Sequence, residues 1–189
     1  MEIILSILIG ISLSATSGFR IFVPILVLSI ASLVGWVELT PAFAWIGTYP
    51  VMAALLMATV IETVAYFFPY VDNLLAAVAT PLSILAGIII TVSVMVDLPP
   101  MLTWVLAIIA GGGAALGGNV VSNTVHAGST AATGGVANPV VSFFESILAV
   151  LLSFMAVVMP VVAALLLMMA IIIIIRIYRR RKTKPLLPK

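Results

Sequence analysis

The chain has no cysteine, a single histidine and very little charge. The missing cysteines exclude disulfides, thiolate metal sites and a cysteine nucleophile, and leave the compartment open. Only 7% of the 189 residues are charged, and 64% are hydrophobic, with a mean hydropathy of +1.39. A soluble domain carries about 25% charged residues. Such a chain cannot cover its surface with polar groups, so its solvent must be largely lipid. The apolar runs are continuous, which excludes the alternating strands of a membrane barrel. No phosphate-binding Walker loop is present, which argues against ATP-driven work by this chain.

What remains is an all-α polytopic bundle. A spanning helix needs about 20 apolar residues. Residues 3–14 are too short for that and end in "SATSGFR", which predicts a short broken or re-entrant helix with a break at Ser17-Gly18. Six full spans are then expected: 20–36, 50–68, 82–96, 101–117, 139–159 and 160–178. "PYVDNLLAAVATP" (69–81) reads as a short amphipathic connector. Pro50 suits a helix start, where its missing N–H costs nothing. Trp36, Trp45 and Tyr49 suit an interfacial aromatic belt.

Residues 118–138, "GNVVSNTVHAGSTAATGGVAN", carry neither charge nor long apolar side chains. Two readings fit. The backbone dips irregularly into a protein-lined cavity, the setting in which non-helical backbone survives at membrane depth. Alternatively it is a flexible surface loop. A weak internal repeat pairs "SATSG" with "TAATGG" and "PVMAALLMA" with "PVVAALLLMMA". If genuine, it makes 118–138 the second broken helix, and broken helices mark substrate sites in repeat-built transporters.

Helical periodicity lines up small or polar residues on single faces: Ser6, Gly10 and Ser14; Ser83, Gly87 and Thr91; Gly111, Ala115 and Gly118; Ser142, Glu145, Ser146, Ala149 and Ser153. Small residues let helices pack closely and bond across the interface. Packing explains Glu62 and Glu145 poorly, because a carboxylate at membrane depth costs about 2.5–3.5 kcal/mol on insertion scales. Both should face the interior. Residues 160–178 carry no polar stripe and should face lipid.

Seven of the eight basic residues lie in the final stretch from Arg176. By the orientation rule this makes the C-terminus cytoplasmic. Residues 1–178 form one transmembrane domain and 179–189 a basic tail. Arg20, the remaining basic residue, either pairs with Glu62, Glu145, Asp72 or Asp97, or snorkels to the headgroups. One arginine cannot neutralise both glutamates, so a proton or a cation is expected to fill the gap. Ser/His catalysis needs an orienting acid and a nucleophile at a fixed geometry, and no GxSxG or comparable elbow accompanies His126. A single His without another His, Cys or a close carboxylate pair is also a poor metal site.

At "SGFRIFVP", "ETVAYFFPYVDNLLAAVATPLSILAG" and "TGGVANPVVSFFESI", the chain resembles a family of small bacterial multi-pass membrane proteins catalogued as domain of unknown function four-one-two-six. The resemblance covers most of residues 14–150. It points to Arg20, Glu62, Pro69, Asp72, Asn138 and Glu145. The family carries Asp-Lys where Tyr66 and Phe67 stand and Arg-Pro where Ser83 and Ile84 stand, so this is a charge-poor member. The resemblance implies the architecture and supplies no activity.

The expected function is a channel or secondary transporter for a small ion or solute in the inner membrane. Arg20, Glu62, Asp72, Asn73, Asn119, His126, Asn138 and Glu145 would line its polar path. The alternative is a membrane scaffold that forms homo-oligomers through small-residue helix faces such as Gly113 and Gly117. Neither reading calls for a cofactor, nucleic acid or enzymatic activity; the bilayer is the expected partner.

Overall fold

The computed structural model describes residues 2–66 and 69–182, and the described residues contain helix and no strand. The helices are α1 (Glu2–Ser17), α2 (Phe22–Leu33), α3 (Tyr49–Ala65), α4 (Pro69–Val94), α5 (Pro100–Leu106), α6 (Gly112–Thr133), α7 (Asn138–Val158) and α8 (Pro160–Lys182). A 3₁₀ segment, Pro41–Gly47, precedes α3, and a π segment, Ala107–Gly111, joins α5 to α6 without interruption.

α1 is a central helix of the bundle rather than a terminal appendage. Gly10 lies against Thr91, and the Ser14 hydroxyl donates to the Gly87 carbonyl at 2.7 Å and pairs with the Thr91 hydroxyl at 2.9 Å. The two small-residue stripes read from periodicity therefore meet each other across the α1–α4 interface. Ser17 donates to the Ser83 carbonyl on α4, and Thr16 pairs with Ser153 on α7. Small side chains bring these backbones close, and the hydroxyls then bond across the gap. Below them Leu13, Leu28, Ile46, Ile90, Val94 and Ala156 form a buried apolar core.

These contacts fix the helix directions. α1 runs antiparallel to α4 and α7. α2 folds back beside α1 and ends at Leu33; Trp36, in the turn that follows, meets Phe154 of α7 edge-on. Ile3 and Ser6 stand beside Met95–Leu98, so α1 begins at the same end as α5. The long rod α5–α6 runs parallel to α1 and far beyond its end.

Several sequence expectations are corrected. Residues 118–133 are helical, continuous with the expected fourth span, and only 134–137 form a turn. Gly, Ser, Thr and Asn break helices in water by competing for the backbone. Inside this bundle their small volume is what seats α6 against α1. Gly134 (φ 65°) and Gly135 (φ 90°) make the left-handed stop, with the Gly134 amide donating to the Thr130 carbonyl. Residues 69–81 are no separate connector; they are the first half of α4, which continues through Pro81. α2, expected to cover 20–36, has 12 residues, about 18 Å at 1.5 Å each, too short to cross about 30 Å of hydrocarbon. Residues 179–182 of the basic tail extend α8, and 183–189 lie outside the described residues.

Among the described residues, two helices are long and apolar enough to cross a membrane: Pro100–Thr133 and Asn138–Val158. Pro41–Gly47 and Tyr49–Ala65 make a third together, bent by 65°. The outer faces of α3 and α8 are largely apolar: Ile61 on α3 is 64% exposed and Leu165 on α8 57%. α8 gives Ala163 to the core and turns the rest of its described side chains largely outward, as its lack of a polar stripe predicts.

Candidate functional site: a cavity above the end of α1

α1 stops at Ser17, whereas α6 continues beside it to Thr133. Gly18 and Gly118 bring the two backbones together at the stopping point. The last carbonyls of α1, which a helix end leaves without partners, are taken locally. Thr16 donates to Leu13, Ser17 donates to Ser14, and the amides of Phe19 and Arg20 donate to Thr16. Asn119 completes the junction. Its side chain accepts from Thr80 on α4 at 2.6 Å and from Asn123 at 2.9 Å, and it faces the Gly18 carbonyl at 3.5 Å.

Above this floor the bundle is hollow. A cavity of about 450 Å³ is lined by Gly18, Phe19, Tyr66, Asn119, Asn123 and His126, with Thr130 and Asn138 towards its outer end. From Asn119 to Thr130 it follows α6 for roughly 16 Å at the helical rise. Asn138 donates to the Thr130 hydroxyl at 3.0 Å and holds the first turn of α7 against the last turn of α6. The cavity exists because one central helix is shorter than its neighbours.

The two glutamates have different environments. Glu62 is buried on α3, and its carboxylate accepts from the amides of Ile21 (2.7 Å) and Phe22 (3.1 Å). It caps the N-terminus of α2 from another helix, where unpaired amides and the helix dipole favour negative charge. The Arg20 guanidinium also attracts it through space. Glu145, seven residues into α7, is buried beside the cavity wall. Its Oε2 lies 3.0 Å from His126 Nε2, and its Oε1 has no hydrogen-bond partner.

Arg20 is 1% exposed, so it does not snorkel. Among the described residues the close acid–base contact is His126 with Glu145, an ion pair only when the imidazole is protonated, and not Arg20 with a glutamate. Arg20 instead binds α7: Nε donates to Ser146 Oγ at 2.9 Å and Nη2 to the Ser142 carbonyl at 2.6 Å. Its guanidinium lies over the Tyr66 ring, 4.0 Å from the centroid, a cation–π geometry. Nη1 has no hydrogen-bond partner.

Of the residues expected along a polar path, Asn119, His126 and Asn138 line the cavity. Glu145 joins through His126, and Arg20 adjoins through Tyr66. Glu62 is committed to α2. Asp72 and Asn73 lie in the first turns of α4, and their side chains are outside the described residues. Asp97 is exposed at the opposite end of the bundle. Asn123 and Thr80 were missed. Asn123 stands one helical turn after Asn119, a spacing visible once 118–133 is read as helix. Thr80 sits in what reads as a connector.

A bundle with lipid-like outer faces, two spanning-length helices and a polar cavity is a membrane-associated helical protein. Residues 7–180 match the family model described as Domain of unknown function (DUF4126), and the chain belongs to that family. No curated protein and no solved structure matches it.

Proposed function

We propose that this protein is a secondary carrier for a small polar solute, with its binding cavity open towards the C-terminal side. The observation that carries the reading is the cavity above the end of α1. Its volume falls within the range of small-molecule sites, about 300–1,000 Å³. Its wall combines amide, hydroxyl and imidazole groups with Phe19 and Tyr66. Below it, glycine-to-backbone packing and the apolar core close the path. A vestibule closed at one end suits alternating access better than an open pore.

In this reading the α1–α2 pair is a re-entrant hairpin. α3, α4, the α5–α6 rod, α7 and α8 cross the membrane, which puts the N- and C-termini on opposite sides. The basic tail assigns the C-terminal side, and with it the cavity mouth, to the cytoplasm of the inner membrane. Trp36, Trp45, Tyr49 and Trp104, all exposed near the other end, form the opposite aromatic belt.

The test is osmotic shrinkage of proteoliposomes challenged in turn with glycerol, urea and glycine. The wild type should pass at least one of them faster than empty vesicles, and Asn123→Trp should abolish the difference. No difference for any of the three counts against the carrier. A scaffold is the second reading, favoured by Gly113, Gly117 and Gly128, which have open space where a side chain would stand. It predicts a stable oligomer and no flux.

A further inference from the structure

We propose that Glu145, Ser142 and Ser129 bind one sodium ion between α6 and α7. The proposal deepens the carrier reading by naming a coupling ion, and it is tested by binding, so that either can fail alone.

Three oxygens carry it. Glu145 Oε1, Ser142 Oγ and Ser129 Oγ are all out of solvent and make no hydrogen bond. Glu145 is 6% exposed and Ser142 1%. Buried polar groups normally find partners, so three unpartnered oxygens in one region need a common cause.

The register of α6 on α7 puts them together. Contacts between His126 and Glu145, and between Thr130 and Asn138, define two points of an antiparallel pair. Ser129 lies one turn beyond His126 on α6. Ser142 lies one turn before Glu145 on α7, and residues three apart on a helix are neighbours. The antiparallel pairing sets those two turns opposite each other.

Charge selects the occupant. Glu62 accepts from the two α2 amides, and Arg20, the buried basic side chain among the described residues, offsets one of the two buried carboxylates. With His126 neutral, one negative charge remains among the described buried side chains, on Glu145. A divalent ion would overcompensate it. A proton on Oε1 would balance the charge and give one O–H donor, enough for at most one of the two serine oxygens. A hard monovalent cation answers both demands, since hard cations prefer oxygen ligands.

The experiment is thermal unfolding of the purified full chain while NaCl replaces choline chloride at constant ionic strength. Selective binding to the folded state should raise Tm by roughly 5 °C once sodium is about 100-fold above its Kd. Glu145→Gln should remove the sodium response. Ser142→Ala and Ser129→Ala should each raise the half-effective sodium concentration by on the order of tenfold. Equal responses to sodium and choline overturn the site. So does an undiminished response in Glu145→Gln, or a Tm that follows pH alone with sodium absent and present. If Glu145→Gln does not fold, an unchanged half-effective concentration in both serine variants overturns it.

Discussion

Gly18 and Gly118 meet backbone to backbone. A Cβ on Gly118 would stand 3.3 Å from the Gly18 Cα and collide with the Ala15 carbonyl, and one on Gly18 would collide with the Asn119 amide nitrogen. This contact seats the end of α1 against the middle of the α5–α6 rod. The cavity floor is built on it.

Gly118→Ala should therefore lower stability by about 3 kcal/mol, the upper range for overpacking, because backbone rather than a flexible side chain must move. Gly113→Ala and Gly117→Ala meet open space. They should keep or slightly raise Tm, since alanine is the better helix former by about 1 kcal/mol. Thermal unfolding of the three purified variants checks this. Equal losses in all three would mean that the outer glycine face is packed as well.

The two glutamates should separate by readout. Glu62→Gln leaves a neutral amide with one acceptor oxygen for two amide donors and should cost about 1.5–3 kcal/mol of stability, the range for hydrogen bonds to charged groups. The accessibility of the cavity should not change. Glu145→Gln should act on whatever occupies the cavity wall. Tm and solute flux measured on both variants decide the point, and a flux defect confined to Glu62→Gln would reverse the assignment.

Much of this was legible from residue spacing. The break at Ser17-Gly18, the interior stripes of α1, α4 and α7, and the outward α8 follow from periodicity and residue size. The α6 segment was misread because its composition is that of a loop in water. In lipid every amide needs an internal partner, so a Gly-, Ser- and Asn-rich segment can persist as a helix when its smallness is needed for packing. The partners of Arg20 and Glu62 were not legible. Glu62 binds two backbone amides and Arg20 a backbone carbonyl as well as Ser146 and the Tyr66 ring, and backbone carbonyls and amides leave no mark in a sequence.

Tyr66→Leu should cost roughly 0.5–2 kcal/mol through loss of the ring under Arg20. Tyr66→Phe keeps the ring, so its loss should be smaller. Thermal unfolding of both variants measures the difference. Equal losses would assign the effect to the hydroxyl and not to the ring.

The most direct measurement uses the absence of native cysteine. Asn123→Cys places a lone thiol in the cavity, and Met101→Cys places one on the exposed surface near the start of α5. Both are treated in oriented membrane vesicles with a membrane-impermeant maleimide. A one-ended vestibule predicts that Asn123→Cys labels only from the side bearing the basic tail, and Met101→Cys only from the other. Labelling of Asn123→Cys from both sides, or from the Met101 side, would contradict it.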